Sequence, residues 1–203
     1  MANPYKIVKD FEETIAEYAG AKYGVAVESC CAAIFLSLQS FNIGNIFTEI
    51  TIPKMTYPGV AMAIANSNNH INFTDKKWRG IYRLDPTTII DSALRFRKGM
   101  YIKKTLYCLS FHYKKHLPIG RGGMILTDDK KVYNWFKMAR FDGRKETPLS
   151  QDNAAIIGWN MYMTPEQAAR GLELFETIKN KNLSDLKVKD QHYPDLSKWR
   201  CFR

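Results

Sequence analysis

Apolar and polar positions along this chain alternate between two periods, and the elements they predict come as strands and helices in turn. In DFEETIAEYAG, Phe11, Ile15, Tyr18 and Ala19 recur at helical spacing, and the pattern stops at Gly20, a residue suited to a helix C-terminus. YGVAV reads as a short buried strand, and SCCAAIFLSLQSF as a largely apolar helix with Ser29 at its N-cap. FTEITIP, GVAMAIANS and HINFTD continue the series as strand, helix and strand. Beyond Asp75, PTTIIDSAL, KKTLYCLSF and GGMILTDD predict three further strands, and DKKVYNWFKMAR a helix. A last helix, TPEQAARGLELFETIKN, has Thr164 as N-cap, Pro165 at its first position and Gln167 at capping-box spacing. Strand alternating with helix predicts an α/β sheet with parallel pairing. The boundaries expected are a compact α/β domain over residues 1–180 and a tail over 181–203, polar and basic, either packed or extended.

Length and composition bound this picture without changing it. The 203 residues suit one domain able to bury a sizeable core, and 45% hydrophobic content excludes a disordered or low-complexity chain. The first twenty residues lack a signal-peptide apolar core, and no apolar run approaches eighteen residues, so a soluble, cytoplasmic protein without a membrane partner is expected. Cys30, Cys31, Cys108 and Cys201 show no CxxC spacing and are expected as reduced thiols. In that setting the Asn72 and Asn182 sequons carry no sugar. The formal net charge of +10 suits phosphates of any kind, those of a nucleotide sugar included. No RNA- or DNA-binding motif accompanies that charge, so nucleic acid is not the expected partner.

The candidate chemistry lies just after the predicted strands, because open α/β sheets bind ligands at the carboxyl ends of their strands. Ser29 follows the first strand and opens a helix; Tyr57 follows the second; Asp91 ends TTIID; Ser110, Lys114 and Lys115 follow YCL. A helix N-terminus with a hydroxyl, an aromatic ring, a carboxylate and a lysine could together hold an anionic aromatic aldehyde. Pyridoxal 5'-phosphate needs such partners: backbone N–H groups at Ser29, Cys30 and Cys31 for the phosphate, an amine for the aldehyde, an acid for the ring nitrogen.

The stretch SFHYKKHLPIGRGG, residues 110 to 123, is the most specific. His112 and His116 are four apart, as zinc-binding histidines on a helix would be, but Tyr113, Lys114 and Lys115 stand where a metalloprotease helix has its glutamate, and cations repel a metal. Alone, the two lysines read as a solvated basic loop. Together with FEETIAEYAGAKYGVAVES, ITIPKMTYPGVAMAIA, DSAL, RFDGR and GWNMYMTPEQAARGL, in that order along the chain, this stretch resembles the DegT/DnrJ/StrS family of nucleotide-sugar aminotransferases that depend on pyridoxal phosphate.

The resemblance implies an α/β fold of the aspartate-aminotransferase type (fold type I): the large-domain, mostly parallel mixed sheet flanked by helices. It implies that the lysine five positions after Ser110, Lys115, is the catalytic Schiff-base lysine. Asp91 would pair with the pyridine nitrogen, Tyr57 would stack on the ring, and Ser110 with Ser29, Cys30 and Cys31 would hold the phosphate. Asn160 would reach the cofactor of a second subunit, which implies a homodimer. The implied reaction carries an amino group from glutamate or glutamine to a keto sugar on a nucleoside diphosphate, with the freed lysine moving a proton; a lysine does that only if its pKa falls towards working pH.

Departures from the family pattern are also legible. Cys30-Cys31 stands where Gly-Thr is usual, removing a hydroxyl; Leu94 replaces a residue able to hydrogen-bond the cofactor's hydroxyl; Arg121 replaces a frequent glutamate. Between Asp75 and Asp91 the family's further strand and helix units are missing, and its C-terminal domain is abbreviated. Two rivals follow. Dehydratases of the same family carry histidine at the lysine position, which here would need a slip to His116. A catalytically silent module with this fold could use its basic surface for nucleic acid or an acidic glycan.

Overall fold

The structure is a computed structural model that describes residues 4–42 and 48–202. Phe47, where the second expected strand begins, lies outside the described residues. The elements are α1 (Lys6–Ala19), β1 (Tyr23–Val27), α2 (Cys30–Asn42), β2 (Glu49–Pro53), α3 (Pro58–Asn66), β3 (His70–Thr74), β4 (Tyr82–Arg83), β5 (Ile89–Asp91), β6 (Leu106–Ser110), β7 (Gly123–Thr127), α4 (Lys130–Ala139) and α5 (Pro165–Ile178). Local chemistry sets their ends. The Asp129 carboxylate accepts from Lys131 and Val132 N–H at the start of α4, and Thr164 and Gln167 form a complete capping box on α5.

Strands β1-β7-β6-β5-β4 form one sheet and β2-β3 a second, parallel one. A bridge joins the two, with Thr51 N–H donating to Asp85 C=O at 2.8 Å and Asp85 N–H returning to Thr51 C=O at 3.2 Å. The α/β class and a mixed sheet flanked by helices agree with the expectation. Parallel pairing is less common than expected: β2-β3 and β5-β6 are parallel, while β1-β7, β6-β7 and β4-β5 are antiparallel. The cause is connectivity. β7 returns from β6 through the loop 111–122 with no crossover helix, and parallel neighbours need such a crossover. β4, in the shortened stretch after Asp75, likewise turns straight back into β5.

Side chains on the central strands divide the core by their period of two. Val25, Val27, Ile89, Leu106, Cys108 and Ile125 face α2, α3 and α4; Ala26, Ile90, Tyr107, Leu109, Met124 and Leu126 face α1 and α5. The segment after Asn180 joins this packing: Leu196 is fully buried, and Trp199 and Phe202 cover the same cluster as α2 and α3.

β1 has a strand partner on one side only, which leaves an edge to be closed. Glu12, on the buried face of α1, accepts from Ala26 N–H at 2.8 Å, and the Arg140 guanidinium donates to both Ala26 C=O and Glu12. Arg140 is completely buried, with Glu146 as its second carboxylate at 2.9 Å, and Lys137 reaches both acids. Removing one member of such a buried pair strands the other's charge. Glu12→Ala should therefore lower unfolding free energy by about 3 kcal/mol, read as a lower urea midpoint. An unchanged midpoint would mean that Glu146 alone satisfies Arg140.

Candidate functional site

The carboxyl ends of β1, β5 and β6 and the start of antiparallel β7 meet on one side of the sheet, where a cavity of about 200 Å³ opens. Ser29, Cys30 and Cys31 reach it from the start of α2, and Tyr57 from the residue before α3. Asp91 reaches it from the end of β5, Ser110 from the end of β6, and Lys115 from the loop beyond. Of the residues to which the resemblance gives a role at the cofactor, Asn160 lies elsewhere: it bridges Phe141, and its Nδ2 donates to Asp142 Oδ2 at 3.1 Å.

One end of the cavity is built from backbone. Ser29 Oγ accepts from Ala32 N–H at 3.1 Å and Ser29 C=O from Ala33 N–H, while the N–H groups of Cys30 and Cys31 have no acceptor among the described residues. Free donors at a helix start attract an anion. Gly123 lets β7 press against this turn: a Cβ there would lie 2.4 Å from the Ser29 carbonyl carbon and 2.5 Å from Cys30 N. Its neighbour Gly122 has φ +154°, which other residues rarely adopt.

The other groups carry opposed charge costs. Burial pushes the Asp91 carboxyl above its ordinary pKa, against the pull of Ala93 N–H, which donates to it at 2.8 Å, the Tyr82 hydroxyl and the Lys115 charge. Burial likewise pulls Lys115 down, opposed by Asp91 and Cys30 and assisted by Lys114. Each charge is held in partly dry surroundings by the other without a direct hydrogen bond between them. Lys114 is exposed, with its ammonium 5.7 Å from the Tyr113 ring. His116 does not line the cavity; its ring nitrogen meets Ser184 C=O at 2.8 Å. Burial disfavours the thiolate at three cysteines: it pushes Cys31 up to about 11, Cys108 to about 12, and Cys30 well above its ordinary value.

Arg121, noted in the sequence for replacing a glutamate, lines the cavity and bonds Glu28 at 2.7 Å. Three contributors were not singled out in the sequence: Tyr82 stands behind Asp91 with its hydroxyl 2.7 Å from Thr56 Oγ1, and Gln191 and Tyr193 come from the segment after α5. A signal for the last exists: Tyr193, Leu196, Trp199 and Phe202 recur every third residue, the period of the 3₁₀ turns found there. Leu94, by contrast, is fully buried.

The DegT/DnrJ/EryC1/StrS aminotransferase family model matches residues 1–103 and 99–193. The chain belongs to that family. It is 25% identical to the spore coat polysaccharide biosynthesis protein SpsC of Bacillus subtilis, over 84% of this chain and 57% of that protein. It is 24% identical to the GDP-perosamine synthase of Caulobacter vibrioides, over 85% and 57%. The crystal structure of AtS13 from Actinomadura melliaura superposes with a TM-score of 0.72 at 21% identity, over 84% of this chain and 60% of that one, and shares its fold. The chain spans a little over half the length of the curated relatives it matches.

The cavity is chemically suited to the cofactor the resemblance implies. Unpaired N–H donors and the glycine-made approach at Ser29 form a cradle for a phosphate, and a buried carboxylate and an amine of lowered pKa share the remaining space. Among the described residues no cluster of metal-ligating side chains is present, and no helix is long and apolar enough to cross a membrane.

The raised Asp91 pKa has a defined sign for stability. Below the ordinary value of 3.8 both folded and unfolded states hold the proton; above the raised folded value the ionised carboxylate is a burial cost. Asp91→Asn should therefore raise the melting temperature of the cofactor-free protein at pH 7. The gain should shrink as pH falls through the raised value to 3.8. A variant that melts lower at pH 7 would show that attraction to Lys115 outweighs desolvation.

Proposed function

We propose that this chain binds pyridoxal 5'-phosphate and transfers an amino group from glutamate or glutamine to a keto sugar carried on a nucleoside diphosphate. The observation that carries this reading is the meeting, in one cavity, of the Lys115 amine with the buried Asp91 carboxylate and the free donors of α2. Family membership and the sugar-related relatives support it.

When bound, the cofactor supplies an aldehyde that captures amines and a ring that takes up the electrons released as a Cα proton departs. The chain's residues do the rest. Lys115 anchors the aldehyde and, once displaced by the donor amine, moves the proton; its lowered pKa makes the unprotonated amine more available near neutral pH. Asp91, buried at the end of β5, would pair with the ring nitrogen, where a cation would offset the cost of its buried charge. Ser29, Ser110 and the N–H groups of Cys30 and Cys31 would hold the phosphate, and Tyr57, which lines the same cavity, would stack on the ring. Cys31 occupies the usual hydroxyl position with a protonated thiol, so backbone donors carry more of the phosphate binding here.

Ordinary ligand clefts measure roughly 300–1,000 Å³, and this cavity is smaller, so the nucleotide of the substrate lies outside it. Lys114 and Arg121 at the lining give that outer region its positive character, while burial and the two neighbouring lysines favour the neutral ring of His112. Asn160, exposed and away from the cavity, is free to face the phosphate of a second copy in a homodimer. A cytoplasmic setting suits the four unbridged cysteines.

The test is capture and half-reaction. Incubation with pyridoxal phosphate followed by borohydride should fix one cofactor to the Lys115 peptide, and glutamate should convert the loaded protein while releasing 2-oxoglutarate. Lys115→Ala should lose both, with turnover down at least about a thousandfold, as when a covalent catalyst is removed. A protein that captures no cofactor, yet binds polyanions in a salt-dependent way, would instead be a binding module.

A further inference from the structure

The segment that follows α5 crosses the cavity between two firm anchors. On one side Asp185 receives a bidentate hydrogen bond from Arg95, at 2.8 and 2.7 Å, with its side chain only 6% exposed, and Leu186 N–H donates to Leu94 C=O. On the other side Leu196 is fully buried, its N–H donates to Lys54 C=O at 3.0 Å, and Lys54 pairs with Asp195 at 3.4 Å. Between them the chain turns at His192, φ +52°, so that Gln191 and Tyr193 both line the cavity. Lys115 Nζ donates to Gln191 Oε1 at 3.4 Å. The Tyr193 ring lies parallel to Trp78, at 6.2 Å and 15°, and Trp78 belongs to the shortened stretch between Asp75 and Asp91.

We infer that this strap completes the cofactor cavity from within the same chain, with Tyr193 as its wall and Gln191 as a positioning residue for the Lys115 amine. The inference rests on the reading of Lys115 as the amine that carries the cofactor. Tyr193 lines the cavity directly, and Trp78, from the stretch between Asp75 and Asp91, stacks behind it. Lys115 sits on a loop rather than a helix or strand, so its long side chain has rotamer freedom to lose. The Gln191 carbonyl oxygen fixes one N–H of the amine and thereby its direction. Anchors on both flanks hold that carbonyl in place without contribution from the substrate.

Two readouts separate the strap from the cofactor reading. In cofactor-free protein, trace acetylation by acetic anhydride is followed by mass spectrometry, with exposed Lys114 as internal reference. Gln191→Ala should raise the relative rate at Lys115 about fivefold, the loss of one ordinary hydrogen bond. Gln191→Glu, which keeps the acceptor, should stay at or below the wild-type rate. For the wall, the pyridoxal phosphate concentration giving half-maximal borohydride fixation should rise about tenfold in Tyr193→Ala, as expected on losing an aromatic contact surface. If the Gln191 and Tyr193 variants melt like wild type and match it within twofold in both assays, the strap inference is wrong and the cofactor reading stands. If wild type fixes no cofactor but Gln191→Ala still exposes Lys115 to acetylation, Gln191 does position the amine, while the cofactor reading and the role of Tyr193 as a cofactor wall both fail.

Discussion

The fold hinges on a buried ion pair that closes one edge of its sheet. Glu12 and Arg140 take up the outward N–H and C=O of Ala26, so β1 ends the sheet with these two buried groups paired. Because Glu12 belongs to α1 and Arg140 follows α4, the same contact ties helices from both faces to one strand residue. That strand runs directly into Ser29 and the start of α2. The position of the turn that opens α2 is thus inherited from a charge pair at the edge of the sheet. Such a pair stabilises the fold less than apolar packing of the same volume would, but losing one partner is costly, which makes the arrangement intolerant of slippage.

The cavity repeats that logic with less complete compensation. Asp91 and Lys115 are each held where burial disfavours their charge, and neither is neutralised by a contact partner of opposite sign. Groups kept in this condition are expensive for stability and useful for chemistry, because a ligand offering a cation to the carboxylate and a carbonyl to the amine relieves both. The thiols beside them, held protonated by the same burial, contribute shape and backbone donors instead of reactivity.

The economy of the chain shows in how the sheet and cavity are finished. A two-residue strand, β4, and the single Thr51–Asp85 bridge span the gap between the two sheets. The segment after α5 then supplies Leu196, Trp199 and Phe202 to the core and Tyr193 and Gln191 to the cavity. Short irregular pieces thus take over tasks that longer elements would otherwise perform.

What the sequence determined by itself was local or periodic. Helix faces, strand pleats and the caps at Ser29 and Thr164 depend on neighbours within a few residues, so α1, β1, α2, α5 and the central strands were legible, as was the family through the spacing of Ser110, Lys115 and the glycine turn. Gathering Ser29, Tyr57, Asp91, Ser110 and Lys115 at one cavity was also foreseeable, since strand ends in an α/β sheet converge. The tertiary structure alone decided the rest. Nothing in the local pattern around Glu12 signals its pairing with Arg140, 128 residues away. The antiparallel return of β7 depended on a loop with no crossover helix, and the path of the strap on Asp185 finding Arg95, 90 residues earlier. The Glu12–Arg140 and Asp185–Arg95 pairs join residues far apart in the chain, and the low-dielectric surroundings that strengthen their attraction exist only in the assembled fold.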